Sequence, residues 1–186
     1  MDTLLKVDDC RVSYLNKSFN LTVNRGELIL IKGPNGAGKT TLFKLILGLE
    51  KIVNGEILRN YKCISYVPEH IDLPSHLTGI EVVEMVKKAI RSESELRELS
   101  LLDIPLFKEV KRLSFGNCKK LQVLVHTFIG RDIVLIDEPF IGLDVKAIQS
   151  LRKYLMYLNK KGVAILLIAH KIRLLDKLAN QVIHLD

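Results

Sequence analysis

A chain of 186 residues has room for one globular domain with a sizeable core and little room for two. Apolar residues make up 48% of it, yet no apolar run approaches the roughly 18 residues of a membrane-crossing helix. The scattered lysine pairs behind the net charge of +7 (Lys87-Lys88, Lys119-Lys120, Lys160-Lys161) form no basic arm, so a solvated surface and no nucleic-acid partner are expected.

The opening residues Met1–Lys6 lack the basic-then-apolar order of a secretory signal, so a connection to a membrane is expected to come through a partner. Cys10, Cys63 and Cys118 are odd in number and contain no CxxC pair, which argues for a reducing compartment and against a thiolate metal site.

In chain order, alternating segments at Leu5–Tyr14 and Ser18–Val23 predict antiparallel strands. Glu27–Lys32 is a short apolar strand running into a glycine-rich loop, and Thr40–Leu49 follows as a helix with Leu42, Leu45, Ile46 and Leu49 at helical spacing. Asn54-Gly55 reads as a turn before another strand, and Cys63–Val67 as a strand stopped by Pro68. Gly79–Leu102 is charged and helical in pattern, and Gly116–Ile129 is a second helix. Strand Ile133–Ile136, helix Val145–Asn159, strand Val163–Ala169, helix Lys171–Leu178 and strand Gln181–Leu185 complete the chain. Such alternation predicts an α/β fold with a parallel sheet flanked by helices, an N-terminal antiparallel β region and a small helical insertion.

Gly33-Pro34-Asn35-Gly36-Ala37-Gly38-Lys39-Thr40 fits the phosphate-cradling loop G-x-x-x-x-G-K-[ST] without a mismatch. Glycines let backbone N–H groups turn inward around phosphate oxygens, and the helix that follows aims its positive end at them. Lys39 is placed to reach the β- and γ-phosphates and Thr40 to bind Mg²⁺. Strand Ile133–Ile136 ends in Asp137-Glu138, where ligands of open α/β sheets sit. Asp137 suits a Mg²⁺ ligand and Glu138 a base that polarises the attacking water. Alone, two acids after a strand could merely cap a loop; beside the glycine loop they point to chemistry.

The order of Gly33–Thr40, Leu113-Ser114-Phe115-Gly116-Asn117, Asp137-Glu138-Pro139, Gly142-Leu143-Asp144 and His170 resembles the nucleotide-binding domain of ABC ATPases over nearly the whole chain. The resemblance implies a P-loop NTPase (RecA-like) core in one domain over 1–186, with the core at about 1–78 and 120–186 and the helical insertion at about 79–119. It implies ATP as ligand, held by Gly33, Pro34, Asn35, Gly36, Ala37, Gly38, Lys39, Thr40 and Thr41, with Tyr14 stacked on adenine; Phe19, in an alternating strand, reads as core. Mg²⁺ falls to Thr40, Asp137 and Glu69, the last standing in Tyr66-Val67-Pro68-Glu69 where the family usually has glutamine. Catalysis falls to Glu138, to Lys39 and to the switch histidine His170.

In that family two copies pair head to tail, and the signature of one, here Leu113–Asn117, covers the nucleotide of the other through Ser114 and Gly116. Asp144 would communicate between the pair. Phe115 and Asn117 depart from the usual glycine and glutamine. Read alone, this segment would be a helix cap at Ser114. The implied function is the ATP-hydrolysing subunit of a transporter, a homodimer or heterodimer on the cytoplasmic membrane face, docked on a separate transmembrane permease near Glu69 and the insertion. The short chain, ending one strand after His170, suggests export. The alternatives are a soluble ABC ATPase acting on ribosomes or DNA, and a nonhydrolysing ATP-binding module.

Overall fold

The computed structural model describes residues 2–70, 72–89, 100–127, 131–169 and 178–186. Strand β1 (Thr3–Arg11) pairs antiparallel with β2 (Phe19–Asn24) on one side and β4 (Asn54–Arg59) on the other. The alternation expected of a half-buried strand is visible in β2, where Phe19, Leu21 and Val23 are buried while Asn20 and Thr22 face solvent. Asn54-Gly55 departs from the expected turn: both residues belong to the start of β4. Here the β1–β4 register shifts between Asp8 and Arg11, and a Cβ at Gly55 would lie 2.4 Å from the Asp8 and Asp9 carbonyl oxygens. Glycine therefore closes a bulge here instead of turning the chain.

The second sheet is parallel, in the order β5-β6-β7-β3-β8, built from β3 (Leu28–Lys32), β5 (Ile64–Val67), β6 (Ile133–Asp137), β7 (Ala164–Ile168) and β8 (Gln181–His184). Because side chains alternate across a strand, each apolar run serves two cores. Leu28, Leu30, Val134, Ile136, Ile165 and Leu167 face helices α3 (Phe115–Thr127) and α4 (Val145–Lys160), meeting Leu121, Leu124, Leu151 and Tyr154. On the other side Ile29, Ile31, Leu135, Leu166 and Ile168 meet helix α1 (Lys39–Leu47) through Leu42, Phe43, Leu45 and Ile46, with the antiparallel sheet beyond. This is the α/β arrangement expected, a helix-flanked parallel sheet beside an antiparallel one.

Helix α2 (Gly79–Ala89) starts on a reciprocal cap: Glu81 Oε2 accepts from Thr78 N–H at 2.7 Å, and Thr78 Oγ1 accepts from Glu81 N–H at 3.4 Å. Of the helical stretch expected over Gly79–Leu102, residues 90–99 lie outside the described residues and Ser100–Leu102 are not α-helical; nearly all of the expected helix Lys171–Leu178 also lies outside them.

Lys119 and Lys120 correct the expectation of a solvated surface, since both are buried. Each stands one turn before a core residue of α3, Val123 or Leu124. Lys120 Nζ donates to the carbonyls of Leu102 at 2.6 Å and Asp103 at 3.0 Å, and Lys119 Nζ to that of Glu69. Long stems reach backbone acceptors, which makes burial tolerable.

Asp144 is the N-cap of α4, its carboxylate accepting from Ala147 N–H at 2.7 Å. Asp144→Ala should cost about 0.5–2 kcal/mol and lower Tm by about 2–4 °C for each kcal/mol, while Asp144→Asn, also a good cap, should cost far less. Calorimetry showing equal Tm for parent and Asp144→Ala would contradict the cap.

Candidate functional site

Register builds this site before any side chain does. Ile168 of β7 stands opposite Ile31 of β3 on one side and Asp137 of β6 on the other, so β3 and β6 end at the same level. The glycine loop leaving β3 and the acids ending β6 thus emerge at one edge of the sheet, the carboxyl end where open α/β sheets hold ligands.

A cleft of about 660 Å³ opens there. It gathers Tyr14, Asn35, Gly36, Gly38, Lys39, Thr40, Thr41, Glu69, Asp137 and Glu138. Gly33, Pro34 and Ala37 form the loop behind it: Ala37 N–H donates to the Pro34 carbonyl at 3.2 Å, and a Cβ on Gly33 would lie 2.2 Å from the Leu185 oxygen. Gly38, with φ of 87°, is the N-cap of α1; no side chain caps that helix and no acid stands in its first turn. Its N-terminal partial positive charge is therefore left for an acceptor from outside. Lys39 Nζ folds back onto the carbonyls of Gly33 at 2.8 Å and Pro34 at 2.9 Å.

Thr40 Oγ1 donates to Asp137 Oδ2 at 2.9 Å, joining the loop to the acidic strand end. A hydroxyl and a carboxylate so placed are oxygen donors of the kind a hard divalent cation takes. Burial pushes the Asp137 carboxyl above the usual carboxylate range; the Thr40 bond opposes this, the Glu69 charge adds to it, and Lys39 and Lys119 pull it back. Glu138 is buried, and its backbone sits at φ of 47°, a left-handed conformation rare for a side-chain-bearing residue, with its N–H on the Ile168 carbonyl at 3.0 Å. Such backbone strain costs on the order of 1–3 kcal/mol and clusters at functional sites. Tyr14 lines the cleft with 57% of its surface exposed, whereas Phe19 is buried in the core, as expected of Phe19.

Ser114, Gly116 and Asp144 come together elsewhere, in a small depression with Asn117, Lys120 and Lys146. None of the three lines the first cleft. Ser114 Oγ accepts from Asn117 N–H at 3.3 Å, so it caps α3 as well. The Phe115 ring lies on Gly142, where a Cβ would stand 2.9 Å from its Cε1. His170 lies outside the described residues.

Three side chains near the site escape motif reading. Lys17 Nζ donates to the Ala37 carbonyl at 2.7 Å and braces the glycine loop. From α3, Gln122 Nε2 donates to the Pro68 carbonyl at 2.7 Å and Lys119 Nζ to that of Glu69. Burial lowers the Lys119 pKa, against the pull of Glu69, Asp137 and Glu138. The only sequence signal for Lys119 is its i,i+4 spacing to Val123, which puts it on a covered helix face.

Comparison with known proteins is consistent in one direction. A family model described as ABC transporter matches residues 16–141. An uncharacterised ABC transporter ATP-binding protein of Methanocaldococcus jannaschii is 33% identical over 169 residues, covering 87% of this chain and 64% of that protein. A zinc import ATP-binding protein of Rickettsia bellii is 34% identical over 179 residues, covering 92% of this chain and 75% of its own. A solved structure described as the ATP binding subunit of an ABC transporter superposes with a TM-score of 0.81 at 28% identity, covering 98% of this chain and 86% of the other. The chain thus spans less than two thirds of the Methanocaldococcus relative. None of these supports the expected export direction.

The buried Asp137 gives a test by pH. A carboxyl whose pKa is raised by folding loses stability as pH rises from its unfolded to its folded pKa. Asp137→Asn should therefore raise Tm of the nucleotide-free protein at neutral pH, with the gain vanishing at pH values below the unfolded carboxylate range. A gain independent of pH, or a loss at neutral pH, would contradict that account of the buried charge.

Proposed function

This chain belongs to the ABC transporter family, and we propose that it is the ATP-binding and ATP-hydrolysing subunit that drives a separate membrane-spanning partner. The observation that carries this is the meeting, at one sheet edge, of an uncapped helix start at Gly38-Lys39 with Thr40, Asp137 and Glu138.

The residues fit a Mg²⁺-bound nucleoside triphosphate. Loop N–H groups from Gly36 to Thr40 would take the phosphates, and Lys39 would exchange the carbonyls of Gly33 and Pro34 for the β- and γ-phosphates. Thr40, Asp137 and Glu69 would hold Mg²⁺, whose chemistry is to neutralise charge on the phosphate oxygens. Glu138, held in a strained conformation, would orient the attacking water and accept its proton, with His170 as the expected partner to the γ-phosphate. Tyr14 would stack on the adenine.

Ser114, Gly116 and Asp144 lie away from the chain's own cleft, which supports their acting on a nucleotide held by a second copy. We read residues 79–119 as the helical insertion, and the face it makes with Glu69 as the seat of the membrane subunit on the cytoplasmic side. Among the described residues no helix is long and apolar enough to cross a membrane. The relatives named above are transporter proteins, which does not favour an ATPase working on ribosomes or DNA, and the presence of Glu138 does not favour a nonhydrolysing module. One of them is named for zinc import, so the proposal carries no export direction.

Lys39→Ala should weaken ATP binding by roughly 100-fold, the upper end for hydrogen bonds to charged groups. Near-parental affinity for a fluorescent ATP analogue would sink the phosphate-loop assignment. Glu138→Gln should bind ATP as the parent does but hydrolyse it roughly 10²–10⁴-fold more slowly. Phosphate release at the parental rate would assign the base elsewhere.

A further inference from the structure

The net charge of +7 is not spread evenly over the chain. Five of the 28 basic residues stand in 145–161, a stretch with no acid, which leaves 23 basic against 21 acidic residues elsewhere. Lys146 has a partner in Asp103, 3.5 Å away. Arg152, Lys153, Lys160 and Lys161 pair with no carboxylate among the described residues, and none has an acid three or four positions away along the chain. Exposed helix faces ordinarily mix both signs at those spacings. The helix dipole favours Lys160 and Lys161 at the end of α4, but that reason does not reach Arg152 and Lys153, two turns earlier.

Leu151, Tyr154, Leu155 and Leu158 bury the core side of α4. On its other side a groove of about 470 Å³ is lined, among the described residues, by Gln149, Arg152, Lys153, Met156, Tyr157 and Lys160. Gln149, Lys153 and Lys160 are exposed, while Arg152, Met156 and Tyr157 are half-buried. Lys161 Nζ stands 5.4 Å from the centre of the Tyr157 ring, within cation–π range. The layout is an apolar step, Met156 and Tyr157, between two cationic pairs eight residues apart, or roughly 12 Å along the helix axis.

Unpaired charge of one sign selects a partner of the other. A bilayer surface is a poor match, because interfacial binding needs apolar side chains free to enter the headgroup boundary, and Met156 and Tyr157 pack on the core beneath them. A groove with an apolar floor and cationic ends suits a peptide that brings its own apolar anchor. We propose that the outward face of α4 is a docking site for an acidic segment of a partner protein, which sets carboxylates over Arg152-Lys153 and Lys160-Lys161 and an apolar side chain over Met156 and Tyr157. None of these residues lines the nucleotide cleft, so the inference stands apart from the ATPase reading.

The probe is a fluorescent synthetic peptide with two Glu-Glu pairs eight residues apart and leucines midway, titrated into the full chain and read by anisotropy. A second peptide of the same composition gathers the four acids at one end. The spaced peptide should bind about tenfold more tightly, since the gathered one can satisfy only one cationic pair. Arg152→Gln with Lys153→Gln, and separately Lys160→Gln with Lys161→Gln, should each weaken the spaced peptide by about tenfold. Lys51→Gln with Lys62→Gln, which removes two exposed lysines elsewhere, should leave it within about twofold of the parent. Equal binding of the two peptides, or an equal loss in the Lys51 and Lys62 variant, would overturn the proposal, because net charge alone would then explain the attraction. Tighter binding to phosphatidylserine vesicles or to a single-stranded oligonucleotide, lost in the α4 variants, would also overturn it and give the face to a membrane or a nucleic acid. ATP affinity should be the parent's in every variant, and a chain that binds the spaced peptide but no ATP overturns the ATPase reading alone.

Discussion

The hydrogen bond from Thr40 to Asp137 joins residues 97 positions apart, and the candidate site depends on it. It exists because β7 lies between β3 and β6 with Ile168 as a common rung. A slip of one residue in either pairing would turn the apolar runs inside out, because successive side chains face opposite cores. Packing on both faces therefore fixes the level at which the strands end, and that level fixes where the glycine loop meets the acids. Stability and chemistry are here set by the same register. The strain at Glu138, one residue beyond the last rung, is tolerated because β6 is buried along its whole length.

Electrostatics runs against stability at the same place. The edge of the sheet holds three carboxylates, one of them raised in pKa by burial, beside a helix start that lacks an anionic cap. Like charges so gathered cost stability, and on the proposed function an anion and a cation bound together would offset that cost. The second cluster, around Ser114 and Asp144, is different in kind. Its side chains already cap α3 and α4, and any role toward a nucleotide must be added to that structural one.

Much of this was legible in the chain itself. Glu27–Lys32, Ile133–Ile136 and Val163–Ala169 are apolar runs bounded by polar or glycine positions, and they fold as parallel strands within a residue or so of those bounds. Gly33–Thr40 stood out because the motif restricts Gly33, Gly38, Lys39 and Thr40, and the structure sets the segment between a strand and a helix, as that pattern asks. Asn54-Gly55 misled, because a bulge and a turn ask the same thing of glycine: a positive φ with no Cβ. Lys119 and Lys120 misled because a lysine pair is ordinarily solvated, and the acceptors that make their burial tolerable, the carbonyls of Glu69, Leu102 and Asp103, come from distant segments. Long-range partners of that sort leave no local trace.

If the loop from Gly36 to Thr40 offers its backbone to a triphosphate, amide hydrogen exchange should record it residue by residue. Adding MgATP to the Glu138→Gln chain should slow exchange at the Gly36, Gly38, Lys39 and Thr40 amides selectively, leaving the solvent-facing amides of β4 as they were. Unchanged exchange across the loop, at a nucleotide concentration that saturates the protein, would contradict the account.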